Sequence, residues 1–240
     1  MRLIHDDNRN IIASLPDKSI DLIVTDPPYE HVTGGMSSKR FNTGTFRADS
    51  YTNTKMSQFK RDDIFVFLDS VLPKMRRANL FIFCSKLQLA HYFAYLDQHK
   101  KLKYDLLIWD KSSETGKYSM KNSKFFSQDI EYVVRIYESG VSLNKIYDES
   151  GEHANSTLYM KRQHFQKPKG GHETMKPVAL LSQYIQLASQ AGDTVLDPFM
   201  GSGSTGVACA MTDRKFIGIE LDETYFNLAQ ERIQHAINSR

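Results

Sequence analysis

Short apolar runs rich in Ile, Val and aromatic residues recur along the chain at Leu3-Ile4, Asp21 to Thr25, Leu80 to Cys84, Tyr104 to Trp109, Ile130 to Tyr137, Thr194 to Asp197 and Phe216 to Glu220, giving seven strand candidates. Several are continuous rather than alternating, the pattern of strands buried on both faces of a mainly parallel sheet. Between them, helical spacing of apolar positions covers about 9–15, 63–77, 86–99, 177–190, 204–212 and 223–237. The alternation of the two periods predicts an α/β fold, a doubly wound and mainly parallel seven-stranded sheet with helices on both faces.

Three stretches follow neither period: Gly34 to Lys60, Lys111 to Lys124 and His153 to His172. Each is longer than an ordinary connection, which marks functional loops. Composition places the rest. With 240 residues, 40% hydrophobic and 25% charged, the chain fits one large domain with a packed core and excludes global disorder. Its two cysteines, Cys84 and Cys209, lie in or beside apolar runs without metal-ligand spacing and read as buried thiols in a reducing compartment. No run approaches the roughly 20 apolar residues of a membrane span, and the start of the chain lacks the pattern of a secretory leader, so the cytoplasm is the expected location. The net charge of +3 conceals a division: the three irregular stretches carry +11 between them, leaving −8 on the remainder. Lys39, Arg40, Arg47, Lys161 and Arg162 are the candidate phosphate contacts. Phe41, Phe46, Tyr51, Phe59, Tyr118, Tyr159 and Phe165 are interleaved with the cations as stacking partners for nucleobases.

The sharpest local signal is Asp26-Pro27-Pro28-Tyr29, directly after a strand. Two prolines end the ladder and stiffen the backbone, holding a carboxylate and an aromatic ring at the sheet edge where ligands of open α/β sheets bind. That set suits a planar amine, with the ring stacked and the N–H groups accepted by oxygen; a plain strand-ending turn is the bland reading. The second signal is the run Asp197-Pro198-Phe199-Met200-Gly201-Ser202-Gly203-Ser204-Thr205-Gly206 between a strand and a small-residue helix, with the next strand ending at Glu220, an acid suited to ribose hydroxyls. Alone, Gly201-x-Gly203-x-x-Gly206 fits a nicotinamide dinucleotide equally well. The third is His172-Glu173-Thr174-Met175-Lys176-Pro177 ahead of an apolar-faced helix, which by itself is also an ordinary helix entry.

In this order the three signals resemble the β class of DNA amino-methyltransferases, whose chains run from Asp-Pro-Pro-Tyr through a target-recognition region and a His-x-Thr-x-Lys-Pro box to an Asp-Pro-Phe-x-Gly-Ser-Gly loop and an Ile-Gly-Ile-Glu strand. The likeness extends from about residue 3 to 235. It departs at Ser204, where relatives often carry Thr, and at Glu173, where they often carry Pro; neither change removes a needed group. The resemblance implies a circularly permuted, Rossmann-like methyltransferase sheet. It also accounts for a shortage at the end of the chain: only a helix follows Glu220, so the missing strand of that half-sheet is expected from Met1 to Asp6.

The resemblance further implies methyl transfer from S-adenosylmethionine to adenine N6 in duplex DNA after base flipping, leaving S-adenosylhomocysteine. Asp26, Pro27, Pro28 and Tyr29 would act on the target base. Asp7, Asp26, Thr174, Lys176, Pro177, Asp197, Phe199, Gly201, Ser202, Gly203, Ser204, Thr205, Glu220 and Leu221 would surround the cofactor. His31 is a candidate proton acceptor, set against loss of the proton to water. Residues 1–240 form one catalytic domain in this reading, with 34–60, 111–124 and 138–171 as DNA-binding insertions. No metal and no membrane are expected, and a second copy or a cognate restriction endonuclease stays open as a partner. Asp in the first tetrapeptide position favours adenine; cytosine N4 is the alternative target, and a nicotinamide dehydrogenase or a non-catalytic DNA-binding protein the alternatives of another class.

Overall fold

The computed structural model describes residues 1–29, 59–110, 130–146, 159–161 and 175–239, with only the backbone described at 159–161. Strands β2 (Leu22–Thr25) and β3 (Asn79–Cys84) are buried at every position, which their unbroken apolar runs require, and they lie in mid-sheet. The other strands are β1 (Arg2–His5), β4 (Leu102–Asp110), β5 (Ile130–Glu138), β6 (Tyr159–Lys161), β7 (Thr194–Asp197) and β8 (Lys215–Glu220). Their spatial order is β1-β8-β7-β2-β3-β5-β4-β6. All seven expected strands form, and the short β6 adds an eighth beside β4, inside a stretch whose polar sequence gave no strand period.

Only β5 runs against the others. The chain's first strand closes the far half-sheet as expected, β1 lying parallel to β8 with Leu3 opposite Gly218 and Ile4 opposite Ile219. From β2 the chain proceeds outward to β3, whereas from β7 it proceeds the other way to β8. The crevice between the carboxyl ends of β2 and β7 is therefore a topological switch point, where ligands of open α/β sheets bind.

The helices are α1 (Asn8–Ser14), α2 (Arg61–Val71), α3 (Lys86–Gln98), α4 (Val178–Ala188), α5 (Ser204–Met211) and α6 (Glu223–Asn238). Period-two alternation along the strands sorts their side chains into two cores. Ile23, Leu80, Ile82, Val134 and Leu196 pack with α1 to α3, and Leu22, Val24, Phe81, Phe83 and Val195 with α4 to α6. The helix expected over 63–77 is shorter. It stops at Val71 and passes into a 3-10 turn, Leu72–Lys74, because Pro73 offers no N–H to extend the ladder.

Helices α5 and α6 approach closely through glycine. A Cβ on Gly206 would lie 2.3 Å from Ile233 Cδ1 and 2.7 Å from Phe216 Cε1, distances no side chain tolerates. Gly206→Ala is accordingly expected to cost about 1–3 kcal/mol through overpacking. An unaltered urea midpoint would show that α6 yields freely at this contact.

Candidate active site

Strand β2 ends at Thr25, and the two prolines carry the chain across the mouth of the switch-point crevice. Asp26 directs Oδ2 to Lys176 Nζ at 2.5 Å, while Oδ1 is buried with no hydrogen-bond partner among the described residues. The carboxylate stands at a boundary, since 28% of its side-chain surface remains exposed although Oδ1 is covered. Lys176, only 7% exposed, also meets Glu131 Oε2 at 3.1 Å, with its ammonium over the rings of Phe83 and Tyr29. The Tyr29 hydroxyl donates to the same Glu131 oxygen at 3.2 Å.

Two acids thus face one base. Burial raises the Asp26 pKa above the usual carboxylate value; Lys176 opposes that shift and Glu131 adds to it. Burial alone would depress Lys176, yet the two carboxylates prevail and raise it, so the ammonium is held charged. Tyr29 is pushed far up by burial, with Asp26 and Glu131 adding, and stays a neutral donor. The backbone beneath is held by Gln88, fully buried on α3, whose amide donates to the carbonyls of Pro28 (3.1 Å) and Phe59 (2.9 Å). Its Oε1 accepts from the Ser85 N–H in a capping box.

Across the crevice, Asp197 Oδ1 accepts from Thr25 Oγ1 at 2.7 Å and from the Phe199 N–H at 3.1 Å, and Oδ2 accepts from Thr205 Oγ1 at 2.7 Å. This 3%-exposed side chain, named with the cofactor residues above, clasps β2, β7 and the glycine loop together. The glycines also divide their tasks. Gly203 (φ +81°) lies against Ala229 of α6, where a Cβ would sit 2.8 Å from that residue's own, so it and Gly206 serve helix packing. Gly201 (φ +50°) faces open space and donates its N–H to Glu220 Oε2 at 2.7 Å. From below, the Arg232 guanidinium donates to the Ser202 carbonyl and hydroxyl and reaches Ser204 Oγ.

At the neighbouring strand ends, Glu220 accepts from the Gly201 and Asp222 N–H groups, and the exposed Leu221 turns its carbonyl to His5 Nε2 at 3.0 Å. Asp7 caps α1 and pairs with Arg9, which holds its carboxyl below the usual range. Phe199 packs in an aromatic group with Phe59 and Phe67. Phe59, expected to stack on a nucleobase, is therefore partly buried protein core, and Lys176, expected beside the cofactor carboxylate with Pro177, is paired with Asp26 of the tetrapeptide. Thr174, His172, His31, Lys39, Arg40, Arg47 and Arg162 lie outside the described residues, as does the side chain of Lys161. Metal-ligand clusters of three or more His, Cys, Asp or Glu are absent among the described residues. Glu131 and Gln88 were not singled out by sequence. A lone acid inside the apolar run Ile130 to Tyr137, and the Ser85-x-x-Gln88 spacing, were the available signals.

Residues 20–231 match the family model described as DNA methylase, of the N6/N4 group. The chain is 26% identical over 248 residues to the type II methyltransferase M2.DpnII of Streptococcus pneumoniae, covering 98% of this chain and 90% of that one. Its fold is shared by a crystal structure of an M1.HpyAVI–SAM complex, with a TM-score of 0.70, 23% identity, and 97% and 98% of the two chains covered. It is shared too by the cytosine-N4-specific PvuII DNA methyltransferase, with a TM-score of 0.64, 16% identity, and 98% and 90% covered.

Burial raises the Asp197 carboxyl from the ordinary 3.8 to about 6 against the three hydrogen bonds that favour its charged form. The folded protein therefore binds this proton more tightly than the unfolded chain, and stability is lost as pH rises from 3.8 towards 6. Asp197→Asn is expected to remove that slope, and urea midpoints across this range with the slope intact would contradict the assignment.

Proposed function

The chain belongs to the N6/N4 DNA methylase family, and on that premise we propose that it transfers a methyl group from S-adenosylmethionine to adenine N6 of a base turned out of duplex DNA. The observation that carries this reading is Asp26 Oδ1, a buried acceptor without a partner among the described residues, at the carboxyl end of a central strand and beside an aromatic ring. An exocyclic amine is a poor nucleophile because its lone pair is delocalised into the base. If Asp26 Oδ1 and the Pro27 carbonyl accept its N–H groups, the nitrogen is drawn towards a tetrahedral geometry with the lone pair free. Tyr29 stacks on the base and offsets an unstacking cost of a few kcal/mol. The aspartate at the first tetrapeptide position supports adenine over cytosine N4.

Fit to the cofactor rests on the loop after β7. Gly201 leaves open space where a side chain would stand, and a carboxylate has about four lone-pair sites, so Glu220 keeps acceptors for ribose hydroxyls after receiving two backbone N–H groups. Bound there, S-adenosylmethionine supplies the electrophilic methyl of its sulfonium. Phe199, Gly201, Ser202, Gly203, Ser204 and Thr205 would hold its methionine portion, Thr174 and Pro177 would serve the carboxylate, and Asp7 and Leu221 would serve adenine. The whole chain acts as one catalytic domain, and residues 34–60, 111–124 and 138–171 form the DNA-facing insertions. We place the enzyme in a bacterial or phage-infected cytoplasm, where a second copy or a cognate endonuclease is an admissible partner.

Incubation with radiolabelled S-adenosylmethionine and mixed-sequence duplex DNA, followed by nucleoside analysis, is expected to place label in N6-methyladenine. Label in N4-methylcytosine would select the other target of the family, and unlabelled DNA would sink both. Asp26→Ala leaves Lys176 paired with Glu131, so cofactor binding should persist while transfer falls by roughly 10²–10³-fold or more. Replacing Arg40 and Arg47 together by Ala should weaken DNA binding and flatten the log–log salt dependence by about two. Unchanged affinity at moderate salt would remove residues 34–60 from the DNA interface.

A further inference from the structure

Glu131 stands in the second position of β5, the one strand that runs against the rest, and so enters the site from its antiparallel side. Its side chain is 19% exposed, and one oxygen, Oε2, collects donors from two distant segments: the Tyr29 hydroxyl at 3.2 Å and the Lys176 ammonium at 3.1 Å. Lys176 in turn occupies Oδ2 of Asp26, leaving Oδ1 as the oxygen without a partner among the described residues.

We propose that Glu131 is a positioning residue for the target base: it holds the Tyr29 ring in place by its hydroxyl and keeps Lys176 on Asp26 Oδ2, so that Oδ1 alone is presented to the amine. The inference rests on the methyl-transfer reading and assigns within it a residue that contacts neither base nor cofactor. The physical grounds are those of restraint. An ammonium is a compact charge with three donors on a flexible stem, and bound to Asp26 alone it is free to slide between both oxygens. A second carboxylate on the other side of the cation removes that freedom. A phenol anchored at its hydroxyl likewise loses the swing of the whole ring about χ1 that a stacking surface has to forgo when the base arrives. Glu131 also makes Asp26 a stronger acceptor by adding negative charge beside it.

The test is Glu131→Gln, close in size to the native side chain and leaving Asp26 and Lys176 as a charge-balanced pair, so the fold should persist. Expected is a fall in kcat/KM for DNA of roughly 10- to 100-fold, the equivalent of one charge-assisted hydrogen bond, with the cofactor Kd within about twofold of wild type. In a double-mutant cycle, Glu131→Gln should have a much smaller effect on a Tyr29→Phe background, which already lacks the tethered hydroxyl. With 2-aminopurine in the target position, the flipped base should fluoresce more brightly on Glu131→Gln than on wild type, since its stacking partner is then held by at most a neutral amide oxygen. Transfer within twofold of wild type, full additivity with Tyr29→Phe, or an equal loss of cofactor affinity would each overturn the inference. Wild-type protein that labels no DNA overturns both this inference and the reading beneath it. Wild type that labels DNA alongside an unaffected Glu131→Gln overturns this inference alone.

Discussion

Asp197 holds together the two strand ends on which everything else in the site is built. Strands β2 and β7 meet at the switch point of the sheet, and from there their chains diverge, one into the prolines after Thr25 and the other into the glycine loop. Left to backbone pairing alone, the joint would end with Ile23 opposite Leu196. The buried carboxylate extends it by one more step on each side, accepting from Thr25, from the N–H of Phe199 and from Thr205 at the start of α5. Burying a carboxylate is costly unless its lone pairs are used, and here three donors are supplied within 3.1 Å. The tetrapeptide and the loop are thereby held in one frame, which is what aligning two reactants requires.

On that frame the charge arrangement is deliberate in one respect. Asp26 and Glu131 lie too close to remain ionised side by side without a cation, and Lys176 supplies it from 150 positions along the chain. Removing the cation would leave two partly buried carboxylates uncompensated, the costly way to break such a cluster. The cation is also flanked by the faces of Phe83 and Tyr29, which favour a positive charge and exclude water from it. Residues 175–177 thus join the cluster from a segment distant in sequence from both β2 and β5.

Strands were legible in sequence because burial on both faces demands unbroken apolar runs, and Asp21 to Thr25 or Leu80 to Cys84 admit no other reading. The tetrapeptide, the glycine loop and Lys176 were legible as residue patterns, but their partners were not. Glu131 reaches the site only through the antiparallel register that sets β5 beside β3, and register is a property of the sheet, not of any local spacing. Phe59 misled for a related reason: among cations and polar residues an aromatic ring suggests stacking on a base, whereas the chain re-enters the core there and the ring meets Phe67 and Phe199. The packing of Gly203 against α6 was not legible either, because a glycine needed for approach to a ligand and one needed for approach to a helix look alike until the helix is in place.

The described residues that flank the basic stretches have definite places in the sheet. Residues 30–58 depart after Tyr29 and rejoin at Phe59, whose carbonyl Gln88 ties to that of Pro28. Residues 111–129 depart from the end of β4 at Asp110 and rejoin at Ile130, one position before Glu131. Strand β6 runs parallel to β4, so residues 162–174 depart from the same edge at Lys161 and rejoin at Met175, next to Lys176. The attachment points at Tyr29, Phe59, Asp110, Ile130, Lys161 and Met175 therefore lie at the carboxyl edge of the sheet, that of Asp26, Glu131 and Lys176, whereas the segment ahead of β6 is entered beyond the end of β5 at the opposite edge. For the methyl-transfer reading proposed above, a net positive charge on stretches attached near Asp26 is of the sign that a phosphate-bearing polymer requires, and the remainder of the chain carries −8.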